Sequence, residues 1–349
     1  MASRLTPRKA SSSSCTFDDY QQFKSSKDSC SSIIVNSLAV PAGETLDFTF
    51  AKGQAVSIDI RGTINFGYKE WDGPLVLFKG SQLQVTTSTG GQFNGQGERW
   101  WDGKGGNGGK KKPKFIEIQG VTSSTFKGLR VVDSPAWTFE ISTSQDVRLN
   151  DITISNVDGE ARGAHNTDGF GIGTSQRVTI DGANVENQDD CVAVNSGSDL
   201  TFNNMNCKGS HGLSIAVGHG PSNEVKNVVF SNSVVRDSTN GVRIKTVKGA
   251  QGSISNVEFR DIALSGITEY GIDVEQNYSN SGSSGEPTNG VKISGVKFDN
   301  IKGSVVGKAE PWHILCGKNS CEEFSKTGVS IQSASGARST CVNSPAQLC

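Results

Sequence analysis

Two adjacent carboxylates, Asp189 and Asp190, lie in the stretch "ENQDDCVAVNS", directly before an apolar alternation. Like charges side by side at the start of a buried strand are unfavourable unless other groups compensate them. A solvated acidic pair is the ordinary interpretation of such a dipeptide. A cluster held together by the fold would instead suit acid–base catalysis, in which carboxyl groups donate and accept protons.

A short pattern with apolar third and fifth residues recurs along the chain. Its copies are "WTFEI" (137–141), "DGFGI" (168–172), "DCVAV" (190–194), "HGLSI" (211–215), "NGVRI" (240–244) and "YGIDV" (270–274). If the apolar residues point inward, equivalent positions of adjacent strands lie about 4.8 Å apart. The first positions then form a ladder of Trp137, Asp168, Asp190, His211, Asn240 and Tyr270. Three carboxylates, counting Asp189, and one imidazole are therefore predicted to meet, with Arg243 and Lys245 on the same face.

A second repeat predicts how these residues are positioned. Its copies are "VRLNDITI" (147–154), "VTIDGANV" (178–185), "LTFNNMNC" (200–207), "VVFSNSVV" (228–235), "VEFRDIAL" (257–264) and "VKFDNIKG" (296–303), which start 22 to 39 residues apart. Each copy reads as two short strands that meet at a polar bend. Strands repeated at such a period are typical of stacked coils. We therefore predict an all-β chain folded as a parallel β-helix.

The composition limits the classes of partner. The net charge of −1 provides no general basic field for nucleic acid or an anionic membrane surface. The sequence contains no run of about 18 apolar residues, which is the length that a helix needs to span a bilayer. Glycine accounts for 42 of the 349 residues and methionine for 2, which favours turns and strands over helices.

The eight cysteines are predicted to form four disulfides in sequence order, namely Cys15–Cys30, Cys191–Cys207, Cys316–Cys321 and Cys341–Cys349. Their even number and short spacings suit local pairs in an oxidising compartment. A zinc site is disfavoured because no Cys-x2-Cys pair occurs and the histidines are scattered. Asn277, in "NYS", is the single N-glycosylation acceptor motif.

The first 14 residues, "MASRLTPRKASSSS", are basic and serine-rich and lack the apolar region of a signal peptide. We interpret residues 1–14 as a leftover, disordered pro-segment or tag and residues 15–349 as the β-helix domain. A solenoid needs its end covered. A short N-terminal capping helix is predicted from the near-helical spacing of Phe17, Tyr20 and Phe23, with Thr16 as its N-cap.

Four motifs resemble, in order and spacing, the signatures of fungal polygalacturonases. They are "NTDGF" (166–170), "NQDDCVAVNSG" (187–197), "GSHGLSI" (209–215) and "NGVRIKT" (240–246). That family consists of pectin-degrading glycoside hydrolases with a right-handed parallel β-helix, and the resemblance covers nearly all of the chain beyond about residue 15. Gly171 and the segment "SIAVGHG" (214–220) depart from the family pattern, which puts the cleft floor and the subsite preference in doubt.

The resemblance implies that Asp189 is the general acid, that Asp168 and Asp190 activate a water, and that His211 tunes the acid. Sugar rings would be bound by Asn166, Arg243, Lys245 and Tyr270. The two cations would pair with a galacturonate carboxylate, so that their replacement by alanine would mainly raise KM. Inverting hydrolases keep acid and base about 6.5 to 9.5 Å apart. The closer pair would therefore be the two water-holding carboxylates.

The implied activity is endo-acting, inverting hydrolysis of α-1,4-galacturonosyl linkages in polygalacturonate or de-esterified pectin by residues 15–349 as the catalytic domain. The resemblance further implies a secreted, extracellular monomer with no cofactor and no metal. A plant inhibitor protein is an additional candidate partner, whereas nucleic acid and membrane are not expected. Activity would peak in the mildly acidic range, because the acid, packed among other carboxyls, would keep its proton to higher pH than a lone aspartate.

Three alternatives stay open from the sequence. An exo-acting polygalacturonase would release monogalacturonate before the viscosity falls. A pectate lyase would need calcium and a basic residue that abstracts a ring proton. A non-enzymatic β-helical binding module would bind acidic polysaccharide without turnover, and would have no use for three aspartates together.

Two further features carry paired interpretations. Trp100 and Trp101 could stack on sugars or anchor a loop. The run Lys110, Lys111 and Lys112 could attract a polyanionic chain or form a solvated face. His219 is expected to be a loop residue rather than a catalyst.

Overall fold

The computed structural model describes residues 13–220, 222–279, 282–283, 285–345 and 348. The helices are α1 (Tyr20–Ser26) and α2 (Gly159–Arg162), with 3-10 turns at Lys27–Ser29 and Gly97–Arg99. The strands are β1 (Ser14–Phe17), β2 (Ser32–Asn36), β3 (Ala39–Val40), β4 (Leu46–Thr49), β5 (Val56–Phe66), β6 (Val76–Lys79), β7 (Leu83–Asn94), β8 (Ile116–Gln119), β9 (Thr122–Lys127), β10 (Arg130–Val132), β11 (Phe139–Ser142), β12 (Gln145–Asn150), β13 (Thr153–Ser155), β14 (Phe170–Gly173), β15 (Ser175–Glu186), β16 (Val192–Val194), β17 (Gly197–Lys208), β18 (Leu213–Val217), β19 (Glu224–Arg236), β20 (Asn240–Val247), β21 (Gly252–Ile267), β22 (Tyr270–Tyr278), β23 (Val291–Val305), β24 (Glu310–Leu315), β25 (Cys321–Glu322), β26 (Ser325–Thr327), β27 (Ser330–Ser333) and β28 (Thr340–Val342).

These strands stack as the coils of a right-handed parallel β-helix, as predicted. One sheet of 11 strands runs in the order β4, β6, β8, β11, β14, β16, β18, β20, β22, β24 and β28, and we call it the cleft sheet. The other hydrogen-bonded set contains 17 strands, including β15, β17, β19, β21 and β23. Within the described ranges, no helix is long and apolar enough to cross a bilayer.

Both repeats align in the predicted register. In the cleft sheet, Phe139, Phe170, Val192, Leu213, Val242 and Ile272 are direct partners along the stack, and all are buried. The second repeat stacks the rings of Phe202, Phe230, Phe259 and Phe298, with successive ring centroids 4.7, 4.9 and 5.7 Å apart. The buried period-2 alternation sets this register, because a slip of one residue would expose every core side chain.

The second repeat differs from the prediction in one respect. The copies from residue 178 onward form continuous strands rather than pairs of short ones, and β21 alone has 16 residues, whereas the first copy forms the predicted pair, β12 and β13. Each strand turns the corner at a residue with positive φ, among them Gly182 (76°), Asn204 (54°), Asn232 (51°), Asp261 (55°) and Asn300 (51°). Glycine, asparagine and aspartate tolerate this left-handed conformation best, which explains the polar residue at the middle of each copy.

The N-terminal end is capped by α1. Its N-cap is Asp19, whose side chain accepts a hydrogen bond from the Gln22 amide at 2.8 Å, so the expectation of a Thr16 cap is wrong. Phe23 is buried against Phe48, with ring centroids 5.2 Å apart. The fold includes Ser14, which pairs with Ser32 in β1 and β2, whereas residues 1–12 lie outside the described residues.

Three of the predicted disulfides are formed, namely Cys15–Cys30, Cys191–Cys207 and Cys316–Cys321. Cys349 lies outside the described residues, so its pairing with Cys341 stays a prediction. Asn277 is 4% exposed, and its side-chain nitrogen donates a hydrogen bond to the Gly285 carbonyl at 2.9 Å. Glycosylation there stays a prediction and would replace this bond.

Candidate active site

The cleft sheet presents the polar residues because its strands alternate. In β16, Val192 and Val194 point into the core while Ala193 faces outward into a cleft of about 470 Å³. Asp168 and Asp190 occupy equivalent positions just before β14 and β16, and both line that cleft. The alternation of the apolar residues therefore places the carboxylates on the open face.

Asp189 is the most fully hydrogen-bonded carboxylate of the cluster. Its Oδ2 accepts from Asn166 Nδ2 at 2.8 Å, and its Oδ1 accepts from the Asp190 amide at 2.7 Å. His211 Nδ1 lies 3.2 Å from the same Oδ1. The side chain is 10% exposed, so it can meet a substrate while its neighbours fix its orientation.

Asp190 forms a buried ion pair. Lys245 Nζ lies 2.9 Å from Asp190 Oδ2, and the two side chains are 7% and 3% exposed. Ser214 Oγ donates to the other oxygen, Oδ1, at 2.7 Å. A cation from β20 and a hydroxyl from β18 thus orient the carboxylate through charge-assisted hydrogen bonds.

The turn that carries both aspartates is anchored from behind. Asn187 Nδ2 donates to three carbonyls, those of Thr167 at 2.9 Å, Asp189 at 3.1 Å and Asp190 at 3.0 Å. The Cys191–Cys207 disulfide follows directly and joins this turn to β17. These contacts fix the backbone at the point where the two charges meet.

A glycine-rich loop closes one side of the cleft. The Gly106 amide donates to Asn166 Oδ1 at 2.9 Å, and Asn166 itself has a positive φ of 52°. An ideal Cβ at Gly105 would lie only 2.3 Å from Asn166 Oδ1, so the close approach requires glycine there. Asn166 therefore connects this loop to Asp189.

Arg243 is fixed by carboxylates of the next strand. Its Nε donates to Asp273 Oδ2 at 2.9 Å, and its Nη2 donates to Glu275. Asp273 also contacts His313 Nδ1 at 2.8 Å. This buried network orients the guanidinium at the cleft.

Comparison with known proteins identifies the family. Residues 30–349 match the profile described as "Glycosyl hydrolases family 28". The chain belongs to this family. It is 51% identical over 320 residues to "Endopolygalacturonase I" of Aspergillus oryzae, a match that covers 91% of this chain and 87% of that protein.

Two further relatives agree with this family 28 assignment. The chain is 46% identical over 332 residues to "Polygalacturonase" of Cochliobolus carbonum, which covers 95% of this chain and 91% of the other. The solved structure of endopolygalacturonase I from Stereum purpureum, complexed with two galacturonate, has a TM-score of 0.79 and 32% identity. That similarity covers 94% of this chain and 99% of the solved one.

The charges of this family 28 site are strongly coupled. Burial, together with Asp189 and Asp190, holds the pKa of Asp168 well above its usual range. Burial also acts to raise the pKa of Asp189, but the hydrogen bond and charge of His211 outweigh it and lower that pKa. The His211 pKa is raised because Asp189 outweighs the opposing effect of burial. The pKa values of Asp168 and His211 are therefore raised and that of Asp189 is lowered, so the expectation that the acid keeps its proton to higher pH than a lone aspartate is wrong.

The cleft brings together seven of the eight residues predicted to act on the substrate, namely Asn166, Asp168, Asp189, Asp190, His211, Arg243 and Lys245. Tyr270 is the exception, because its ring stacks on His313 at 4.0 Å outside the described cleft lining. Tyr278 lines the cleft instead, 5.4 Å from Arg243 Cζ and 4.8 Å from Lys245 Nζ. A register shift between β20 and β22 brings Tyr278 opposite Val247.

The two adjacent tryptophans and one residue of the lysine run, Lys112, have structural roles. Trp100 and Trp101 are buried, and their indole nitrogens donate to the carbonyls of Lys69 and Ser134, both at 3.0 Å, so sugar stacking by these rings is wrong. Lys112 is also buried, and its Nζ pairs with Asp102 at 2.8 Å. Lys112 therefore anchors the loop instead of attracting a polyanion.

One group of donors could be considered for a metal. Atoms of Asp189, Asp190 and His211 lie within 4.8 Å of one another. The Lys245 ammonium already contacts Asp190, and a cation beside it would be repelled. Calcium prefers six to eight oxygen ligands, so this donor set fits acid–base chemistry better.

Proposed function

We propose that this chain is an endopolygalacturonase, which hydrolyses α-1,4-galacturonosyl linkages within polygalacturonate and de-esterified pectin. The observation that carries the proposal is a single open cleft that holds three carboxylates and His211 beside Lys245 and Arg243. Acid–base groups suit glycosidic hydrolysis, and cations suit an anionic sugar. The endopolygalacturonases named among the relatives support the same substrate class.

Asp189 acts on the leaving-group side. It donates a proton to the glycosidic oxygen as the bond to the anomeric carbon breaks. We assign the supply of this proton to His211, whose Nδ1 lies 3.2 Å from Asp189 Oδ1. Transfer of the proton from His211 to Asp189 converts their ion pair into two neutral groups, and this change is favoured when bound substrate excludes water.

Asp168 and Asp190 act on the water side. A water molecule adds to the anomeric carbon while one of these two carboxylates takes up a proton from that water. The raised pKa of Asp168 makes its ionised form a stronger proton acceptor than an ordinary aspartate. Lys245 and Ser214 hold Asp190, so the water meets an oriented acceptor.

The stereochemistry is proposed to be inverting. Inverting enzymes separate acid and base by about 6.5 to 9.5 Å. Oxygens of Asp189 and Asp190 lie within 4.8 Å of each other, which is closer than that range. The base function is therefore assigned to Asp168, which takes up the proton of the water that it holds jointly with Asp190, and the anomeric form of the first product provides the test.

The proposed activity is tested by one digest of polygalacturonate followed in three ways. We expect viscosity to fall before monogalacturonate accumulates, oligomers of intermediate size to appear first, and the new reducing ends to have inverted configuration by NMR. Early monogalacturonate would instead support the exo-acting enzyme. An unsaturated, chelator-sensitive product would identify a lyase, and binding without any product would support the binding module.

The pH dependence follows from the two raised pKa values. The base Asp168 must lose its proton, so activity falls as pH decreases through a pKa above the usual 3.9 or so. His211 must keep its proton, so activity falls as pH increases through a pKa above about 6.5. We expect a bell-shaped profile of kcat/KM between these limits, and a shift of the alkaline limb to lower pH in His211→Gln, in which Asp189 must carry its own proton.

His219→Gln is the matched control for the pH profile. His219 lines the same cleft but contacts Tyr278, with ring centroids 5.9 Å apart, rather than a catalytic carboxylate. Its replacement should leave both limbs in place. An alkaline limb that persists unchanged in His211→Gln would contradict the role given to His211.

We also propose that the protein is secreted. Three disulfides are formed within the part of the chain that the structure describes, and disulfides persist in oxidising compartments. Pectin, the proposed substrate, is a cell-wall polymer that an enzyme reaches outside the cell. A monomeric state and binding of a plant inhibitor protein stay expectations from the family resemblance.

A further inference from the structure

The cleft floor contains a carboxylate that the hydrolytic steps do not use. Glu140 lies in β11, lines the cleft, and is the direct partner of Gly171 in β14. An ideal Cβ at Gly171 would lie 2.4 Å from Glu140 Oε1. The Glu140 carboxylate therefore fills the space where a side chain at position 171 would stand, one coil away from the catalytic groups.

The charge of the floor changes along the stack. The outward positions that are paired from strand to strand are Glu117, Glu140, Gly171, Ala193, Ser214 and Arg243. With adjacent strands about 4.8 Å apart, Glu140 and Arg243 are separated by several sugar-sized steps. A bound polysaccharide thus meets carboxylates on the Trp137 side of the catalytic aspartates, and on the other side the cations Arg243 and Lys245, each of which is paired with a carboxylate of the protein.

The acidic end is not neutralised by its neighbours. Lys114 Nζ lies 3.2 Å from Glu117 Oε1 and 3.8 Å from Glu140 Oε2, so one cation faces two carboxylates. Asp168 adds a third carboxyl on the opposite flank. The Glu140 side chain is 27% exposed, which leaves it in contact with whatever occupies this part of the cleft.

We propose that Glu140 makes the subsite on the Trp137 side favour a methyl-esterified galacturonosyl residue over an ionised one. This inference rests on the proposed function and specifies one of its subsites. An ionised sugar carboxylate is repelled by Glu140, whereas a methyl ester is neutral and can pack its methyl group against Trp137, which lines the same subsite. The cleft then requires an ionised galacturonate beside Arg243 and Lys245. It accepts a methyl-esterified residue beside Glu140, on the other side of the scissile bond.

The test compares Glu140→Gln with the parent enzyme on two polymers, fully de-esterified polygalacturonate and partly methyl-esterified pectin. Burial, only partly offset by Lys114, raises the pKa of Glu140, so the assay is run over a series of pH values, and the preference for the esterified residue should strengthen as pH increases through this raised pKa. We expect kcat/KM on polygalacturonate to rise roughly three- to tenfold and kcat/KM on the esterified polymer to change less than about twofold. Mass spectrometry should show that parent products carry methyl esters on one terminal residue, and that the variant loses this enrichment.

Glu117→Gln is the matched control, since Glu117 pairs with Lys114 at the next step of the row, outside the cleft lining. This variant should leave the ratio of kcat/KM on the two polymers unchanged. The assignment would be overturned if Glu140→Gln left the ratio of kcat/KM on the two polymers unchanged or lowered kcat/KM equally on both. It would also be overturned if Glu117→Gln changed this ratio to the same extent. A parent enzyme that cuts neither polymer would instead refute the proposed function itself.

Discussion

Asp189→Asn is expected to lower kcat on polygalacturonate by about 10² to 10⁴-fold while the protein stays folded. An amide matches the carboxyl in shape but cannot donate the proton that the glycosidic oxygen needs. Asp168→Asn and Asp190→Asn should cause losses of the same order on the water side. Because the three aspartates act as one unit, a double variant should lose little more than a single one.

The stability of these variants separates catalysis from folding. Asp189 and Asp190 oppose the charge of Asp168, so Asp168→Asn should leave the melting temperature unchanged or raise it, whereas Asp190→Asn leaves buried Lys245 without its partner and should lower it. Asp181→Asn is a matched control, because Asp181 lies in β15 on another sheet and accepts from Asn203 Nδ2 at 2.9 Å. It should keep full kcat. A kcat for Asp189→Asn within a few-fold of the parent would remove Asp189 as the acid.

The register of the coils could be predicted because every strand has a buried face. Val192, Leu213 and Val242 occupy equivalent positions in three separate segments, and their burial leaves one alignment that keeps all of them in the core. Asp190 and His211 precede the first two of these residues at the same spacing. The ladder of catalytic groups was therefore fixed by the apolar residues beside it.

Which of the two tyrosines of β22 lines the cleft could not be predicted in the same way. Tyr270 and Tyr278 are the two ends of one strand, and simple alternation favours Tyr270 because it continues the ladder of first positions. The register shift near Lys245 inserts an extra residue and brings the far end of the strand to the cleft. Such a shift depends on backbone pairing between two strands and leaves no periodic signal in either.

Loop residues were outside the reach of the pattern for a different reason. Trp101 and Lys112 lie in a segment without repeats, where burial depends on partners far away in the sequence. The role of Glu140 likewise depends on Gly171, which leaves room for it from the next coil. Only the stacked structure brings such pairs into contact.

The contact between Lys245 and Asp190 changes what replacement of Lys245 should do. The sequence predicts a cation that binds the substrate carboxylate, so that its replacement would mainly raise KM. In the structure the lysine forms a buried pair with a catalytic carboxylate, 2.9 Å away. Removal of one partner of a buried pair leaves the other charge uncompensated, at a cost of about 3 to 5 kcal/mol.

Lys245→Met is therefore expected to lower kcat about 100-fold or more, in addition to raising KM, because Asp190 loses the cation that compensates its charge and holds it in place beside the attacking water. Lys208→Met is the matched control, since Lys208 pairs with Glu186 at 2.7 Å on a partly exposed face of another sheet. Such pairs contribute about 0.2 to 1 kcal/mol, so the control should keep kcat and KM near the parent values. Steady-state kinetics on polygalacturonate measure both constants. A raised KM with unchanged kcat in Lys245→Met would show that the lysine serves substrate binding alone, and that Asp190 keeps its charge without it.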